Sequence, residues 1–230
     1  MKVSIIIPFY NEKNTLKEIV ARVQKALPLH EKEIILIDDG SSDGSSEIAK
    51  SISEVTLIIH PKNKGKGAAL RSGITKATGE VILFQDADIE YDPNDYQELL
   101  SFFETNQVDV VYGSRFIGKK QEHFFLHTYL ANKFLSFLTR LLTPLPITDM
   151  ETCYKAFRSD ILKGLTLVEH KFGIEPEITM KMAHIKNIRY KEVPISYTGR
   201  SIKQGKKVRW WDGIRAIWCI LKYGLFSRGK

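Results

Sequence analysis

Cysteine is scarce in this chain of 230 residues: Cys153 and Cys219 are the only two. Two are too few for a disulfide framework and lack metal-site spacing, which favours a reducing compartment. Long hydrophobic runs are missing as well. No stretch approaches the ~18 consecutive apolar residues that a membrane-spanning helix requires. The opening Met1–Pro8 enters an apolar strand at once, too short for a signal-peptide core and with no small-residue cleavage site, so no secretory leader is expected. Internal repeats and low-complexity segments are absent, and no Gly-x-x-x-x-Gly-Lys-Ser/Thr loop marks a P-loop nucleotidase. Acidic residues are nearly missing from 181–230, where only Glu192 and Asp212 stand among many Lys and Arg. A basic tail on a slightly acidic body suggests a phosphate-rich partner: a membrane surface, nucleic acid or a phosphorylated substrate.

What is present is an ordinary globular composition, 43% hydrophobic and 27% charged, which excludes bulk disorder. The first 113 residues alternate apolar runs with helical periodicity. Strands are expected at Val3–Pro8, Glu33–Asp38, Val55–His60, Glu80–Phe84 and Val108–Tyr112. Helices are expected around Leu16–Leu27, Ser45–Ile52, Gly65–Ala77 and Pro93–Thr105, the first opened by a Thr15–Glu18 capping box. This pattern predicts an α/β fold with a mostly parallel central sheet and helices on both faces. After Tyr112 the pattern changes. Phe124–Leu142 is rich in Phe and Leu, Glu175–His184 is helical, Ile188–Tyr197 is extended, and Trp210–Phe226 closes as an amphipathic helix. One catalytic domain over 1–198 is expected, with a basic loop and C-terminal helix over 199–230 as its appendage.

In a parallel sheet, ligands bind at the C-terminal ends of the strands, and four motifs fall there. The first strand ends Pro8-Phe9-Tyr10-Asn11-Glu12, where Pro8 is expected to break the strand and an aromatic and a carboxylate can hold a base and ribose. The second ends Asp38-Asp39-Gly40, and Asp39 can accept from the donors of a uracil or guanine ring. After the third comes Lys62-Asn63-Lys64-Gly65-Lys66-Gly67, with glycines that permit close backbone approach and lysines, Lys66 among them, that offset phosphate charge. The fourth ends Gln85-Asp86-Ala87-Asp88-Ile89-Glu90, whose paired carboxylates can share one hard divalent cation bridging a diphosphate.

Together these ordered motifs resemble the family 2 glycosyltransferases of GT-A fold, and more narrowly the polyprenyl-phosphate branch that includes dolichyl-phosphate mannose synthases. The resemblance covers Val3 to about Tyr197. It implies that Pro8, Tyr10, Glu12 and Asp39 hold the nucleotide, and that Asp86 and Asp88 contact Mg²⁺ or Mn²⁺ on the diphosphate. Glu90 is expected as a third metal ligand, at a position where the family often has Gln. Gly113-Ser114-Arg115 implies that Arg115 meets the acceptor phosphate, which suits its planar fork. Asp149-Met150-Glu151-Thr152-Cys153-Tyr154 stands where the branch has Asp-x-x-Ser-Gly-Phe and departs from it at the last three positions. A second acceptor-side cation is open among Lys119, Lys120, His123 and His127. The basic loop beginning at Tyr197 resembles the branch's cover over the diphosphate, assigning Arg200 with Lys206 or Lys207 to that group. Its Arg-to-Gly spacing, longer than Arg-x-x-Gly, points to a prokaryotic relative.

The expected reaction is transfer of a sugar from GDP-mannose or a UDP-hexose to a polyprenyl phosphate, with inversion at the anomeric carbon. A lipid phosphate needs no general base. A glycan hydroxyl, the alternative acceptor, would need one, and Asp149 or Glu151 would be the candidates. Asp88, Arg115 and Asp149 are therefore the expected catalytic residues. Tryptophans beside Lys and Arg in the last helix suit peripheral attachment to the cytoplasmic face of a membrane, with a separate anchor subunit as a further possibility. A nucleotidyltransferase would need a glycine-rich, basic loop after the first strand, which is missing. Nucleic-acid binding through the basic tail is a remote alternative, since it leaves the Asp-x-Asp series unexplained.

Overall fold

The computed structural model describes residues 1–27, 30–118, 121–122, 126–200 and 210–226. Strands β1 (Lys2–Phe9), β2 (Glu31–Asp38), β3 (Thr56–Ile59) and β4 (Val81–Phe84) alternate with helices α1 (Leu16–Lys25), α2 (Ser45–Lys50) and α3 (Lys66–Lys76). A 3-10 turn at Pro93–Asp95 leads into α4 (Tyr96–Glu104), followed by β5 (Val110–Ser114), the two-residue β6 (Gln121–Glu122) and α5 (Leu126–Leu142). The chain continues through β7 (Lys155–Arg158), α6 (Ser159–Lys163), α7 (Ile174–Ala183), β8 (Tyr190–Pro194), β9 (Tyr197–Thr198) and α8 (Trp210–Phe226).

Seven strands form one sheet in the order β3-β2-β1-β4-β7-β5-β8. All neighbours are parallel except β7, which runs antiparallel between β4 and β5, with Ala156 opposite both Leu83 and Val111. The fold is thus α/β with a mixed, mostly parallel sheet. Ile5, Ile6 and Ile7 of β1 and Ile35, Leu36 and Ile37 of β2 are fully buried, so successive side chains meet apolar cover on both faces. Each such side chain adds about 1.5–3 kcal/mol by leaving water. On α1 the buried stripe is Leu16, Ile19, Val20 and Val23.

Pro8 does not break β1, which pairs with β2 through Phe9 opposite Asp38. Like Ile6, whose carbonyl accepts from Gln85 N, Pro8 directs its backbone toward β4, and that pairing has already ended at Ile6–Phe84. Its missing N–H therefore leaves no ladder bond unmade. The Thr15–Glu18 capping box does not form either. The Thr15 hydroxyl donates to Glu12 Oε2 at 2.9 Å, and Glu18 pairs with Arg22 instead.

The insertion of β7 is the consequential feature. Because it is antiparallel, its lead-in, Asp149–Tyr154, arrives at the C-terminal edge of the sheet, beside the ends of β4 and β5. The sequence does not present β7 as a strand, because Lys155, fully buried, interrupts the apolar pattern.

A second apolar cluster joins α5, α7 and α8 through Leu135, Ile147, Met180, Cys219, Ile220 and Tyr223. Both long helices turn their largest apolar side chains outward. On α5, Leu130, Phe134, Phe137 and Leu141 are exposed, while Asn132, Ser136 and Thr139 are buried. On α8, Trp210, Trp211, Ile214 and Trp218 are exposed, and Ala216, Cys219 and Ile220 make the inward contact. No described helix is long and apolar enough to cross a membrane.

Candidate active site

A cleft of about 560 Å³ opens at the C-terminal edge of the sheet. On one side Pro8, Tyr10, Glu12, Asp39 and Lys66 line it, and Asp86, Asp88, Glu90 and Arg200 lie across its middle. Arg115 and Glu151 line the opposite side, together with Thr128 and Asn132 from α5. Lys206 lies outside the described residues, as do Lys119, Lys120, His123 and Lys207. His127 is exposed on α5 and is not part of the lining.

The loops are laced together by short polar contacts. Asn11, with φ of 52°, presents its side-chain oxygen to Ser42 N at 2.8 Å, and Glu12 N donates to Ser45 Oγ at 2.9 Å. Asp39 faces the cleft, but its carboxylate already accepts from Lys64 N at 3.0 Å and Gly65 N at 2.7 Å and pairs with His60 Nδ1 at 2.8 Å. It therefore shapes the lysine-rich loop as well as edging the cleft. The glycines of that loop have a second reason to be glycine. A Cβ on Gly65, whose φ is +97°, would stand 2.4 Å from the His170 carbonyl oxygen, and one on Gly67 would stand 2.3 Å from that of Glu169. The close approach is to the chain before α7.

The Asp-x-Asp loop is supported from below. Gln85 Oε1 accepts from Tyr96 and Tyr154 hydroxyls at 2.5 and 2.8 Å, and its amide donates to the Asp86 carbonyl at 2.8 Å. The departures at Cys153 and Tyr154 thus form part of the floor under Asp86, with Cys153 N donating to Tyr91 Oη at 3.1 Å. Ile89 has φ of 55°, a conformation that β-branched residues rarely adopt and that costs of order 1–3 kcal/mol. It lies between Asp88 and Glu90 and sets how these two carboxylates are presented.

Lys66 Nζ sits 2.8 Å from Asp86 Oδ1 and 3.1 Å from Glu175 Oε1, the latter an ion pair without hydrogen-bond alignment. Burial alone would favour a neutral Lys66, but Asp86 and Glu175 outweigh it and hold the ammonium charged. Glu175 also pairs with the buried Lys155. Arg200 reaches Asp88 Oδ2 at 2.9 Å, with Glu12 and Glu90 oxygens at 3.4 Å. Burial, then repulsion from Asp86 and Glu90, pushes the Asp88 carboxyl up to about 7 despite Arg200. Glu90, expected as a third metal ligand, lines the cleft and accepts from Tyr197 Oη at 2.8 Å and Arg200 N at 2.9 Å, tying the Tyr197–Arg200 segment to the site.

Among the described residues no group of three or more His, Cys, Asp or Glu side chains is assembled as a finished metal site. The donor set nevertheless fits a hard divalent cation. Asp86 and Asp88 offer carboxylate oxygens in a half-buried, over-negative centre where Lys66 and Arg200 stand as the counter-charges.

Arg115 is held by Asp149, which is fully buried and does not line the cleft. Asp149 accepts from Arg115 Nε at 2.7 Å, Nη2 at 2.8 Å and the backbone N at 2.9 Å. Asp149, expected among the catalytic residues, is thereby placed as the support of Arg115 rather than as a base facing substrate. The Arg115 guanidinium also lies 5.0 Å from the centre of the Tyr197 ring.

A sequence model for Glycosyl transferase family 2 matches residues 4–166. The chain belongs to that family. It is a glycosyltransferase, and its sheet is that of the GT-A fold. A dolichol-phosphate mannosyltransferase of Pyrococcus furiosus is 31% identical over 97% of this chain, which spans 64% of that relative's length. An undecaprenyl-phosphate mannosyltransferase of Micrococcus luteus is 28% identical over 94% of this chain and 98% of its own. Among solved structures, glucosyl-3-phosphoglycerate synthase from Mycobacterium tuberculosis, crystallised with Mn²⁺, UDP and phosphoglyceric acid, superposes with a TM-score of 0.73. The superposition covers 97% of this chain and 78% of that one at 17% identity, a likeness of fold.

Sequence reasoning missed Lys155 and Glu175. Glu175 and Glu177 interrupt an otherwise apolar first turn of α7, and both are buried. Acidic residues there, with no surface face for them to occupy, were the available signal.

Proposed function

We propose that this glycosyltransferase moves a hexose from GDP-mannose or a UDP-hexose to a polyprenyl phosphate, with inversion, at a membrane surface. The observation that carries the reading is the two-sidedness of α5. Thr128 and Asn132 face the cleft that Arg115 also lines, while Leu126, Leu130, Phe134, Phe137 and Leu141 of the same helix are exposed. A lipid phosphate needs this combination: a cationic seat for its head and an apolar path for its chain. The names of the Pyrococcus and Micrococcus relatives, dolichol-phosphate and undecaprenyl-phosphate mannosyltransferase, support it further.

In this reading Pro8, Tyr10, Glu12 and Asp39 bind the base and ribose, and Lys66 offsets diphosphate charge. Asp86 and Asp88 would hold Mg²⁺ or Mn²⁺, which neutralises charge on the departing diphosphate when bound. Arg200 and, from the loop outside the described residues, Lys206 assist there. Arg115, oriented by Asp149, holds the acceptor phosphate for in-line attack on the anomeric carbon. That phosphate is already anionic at neutral pH and requires no base, which suits a site where Asp149 is fully engaged by Arg115. The exposed apolar faces of α5 and α8 would rest on the cytoplasmic leaflet, alone or against a separate anchor subunit. Nucleic acid has no part in this reading.

Glu151 favours a second reading, transfer to a glycan hydroxyl, because burial pushes its carboxyl up to about 7, where it could act as a base. The two are separated by offering radiolabelled UDP-glucose, UDP-GlcNAc and GDP-mannose, with Mn²⁺, to membranes containing polyprenyl phosphates. Label in a mild-acid-labile lipid fraction supports the lipid phosphate; label only in acid-stable glycan supports the hydroxyl.

A further inference from the structure

Glu151 differs from the other carboxylates around the cleft. Asp86 has Lys66, Asp88 has Arg200, Glu175 has Lys155, and Asp149 has Arg115. Glu151 Oε1 is buried and has no hydrogen-bond partner. A buried acceptor left without a partner is destabilising, so such groups are normally satisfied by a ligand or an ordered water. Glu151 is carried to the cleft by the lead-in to β7 and feels the charges of Lys155, Glu175, Arg115 and Lys66. It lines the same cleft as Lys66 and Asp86, which mark the diphosphate side, and Arg115, which marks the acceptor side.

The group crossing between these sides during transfer is the sugar, whose hydroxyls are hydrogen-bond donors. We propose that Glu151 accepts a hydrogen bond from a hydroxyl of the transferred sugar and so selects among nucleotide-sugar donors. The inference rests on the transferase reading and adds to it a residue that contacts the sugar. A carboxylate reading a hydroxyl discriminates strongly, because a sugar lacking that hydroxyl leaves the buried oxygen unpaired.

Calorimetric titration separates the possibilities, with UDP, GDP, UDP-glucose and GDP-mannose titrated in Mn²⁺ into wild type, Glu151→Gln and Glu151→Leu. Thermal melts establish that each variant is folded, and the near-isosteric Gln variant keeps the test valid if Leu is not. The expected result is that nucleoside diphosphate affinity stays within about twofold in both variants. Affinity for the preferred nucleotide-sugar falls at least tenfold, about 1.4 kcal/mol, in the Leu variant and less in the Gln variant, which keeps an acceptor oxygen. Unchanged nucleotide-sugar affinity in both variants overturns the inference, and loss of turnover alongside it would assign Glu151 as a base. Wild type that binds neither diphosphates nor nucleotide-sugars would instead overturn the transferase reading on which the inference stands.

Discussion

Asp149 grips Arg115 from three directions, at 2.7 Å to Nε, 2.8 Å to Nη2 and 2.9 Å to the backbone N. The guanidinium cannot turn without breaking contacts that water does not replace, since Arg115 is 5% exposed and Asp149 not at all. Breaking a buried pair by removing one partner costs about 3–5 kcal/mol. Asp149→Asn should therefore lower the denaturation midpoint and reduce transfer at least as much as Arg115→Lys. Chemical denaturation beside a transfer assay checks this. A stable Asp149→Asn protein that merely turns over slowly would restore Asp149 as a base.

Arg200 is the positive charge paired with Asp88, at 2.9 Å from Oδ2. Arg200→Ala removes a competing positive charge and should raise affinity for Mn²⁺ alone by several-fold. It should also raise the donor KM about tenfold, because the diphosphate loses a cationic contact. Metal titrations without nucleotide, paired with donor kinetics, read both changes, and their opposite signs are the signature.

The outward faces of α5 and α8 make a membrane prediction. Phe134 is 53% and Trp218 55% exposed, so replacing both with Glu should change stability by no more than about 0.5 kcal/mol each. The same changes should weaken binding to anionic vesicles at least tenfold. Vesicle flotation with wild type and the double variant measures it.

Glu151 also makes a pH prediction. Burial is the first cause of its shift, opposed by Lys155, and lifts its carboxyl from the ordinary 4.5 to about 7. Between these values the native protein keeps a proton that the unfolded chain gives up. Stability from this group is full below about pH 4.5 and is lost as pH rises through 7. Glu151→Gln should flatten the fall in urea midpoint between pH 5 and pH 8. An unchanged slope would place the titration elsewhere.

The parts of this protein legible in its sequence are those where one local cause dominates. The runs Ile5–Ile7, Ile34–Ile37 and Val81–Phe84 have no polar interruption, and the loops after β2, β3 and β4 carry Asp39, Lys66, Asp86 and Asp88 to one edge as the α/β pattern requires. Strand β7 was not legible because its buried Lys155 takes its partner, Glu175, from a helix 20 residues on. The role of Asp149 was hidden for the same reason: its partner Arg115 is 34 residues away in sequence. The periodicity of α5 and α8 showed an apolar face but could not say whether it points inward. Here Ser136, Ala216 and Cys219 pack inside beside Leu135, Ile220 and Tyr223, while Phe134, Phe137, Trp211 and Trp218 face out.

The most direct test of the account is transfer of label from the accepted nucleotide-sugar to polyprenyl phosphate by wild type and Asp88→Ala, each with Mn²⁺ and with EDTA. The account predicts lipid-linked, mild-acid-labile product from wild type with Mn²⁺ alone, and at least a hundredfold less from the folded variant under either condition. Product formed equally well by Asp88→Ala, or by wild type in EDTA, would contradict it.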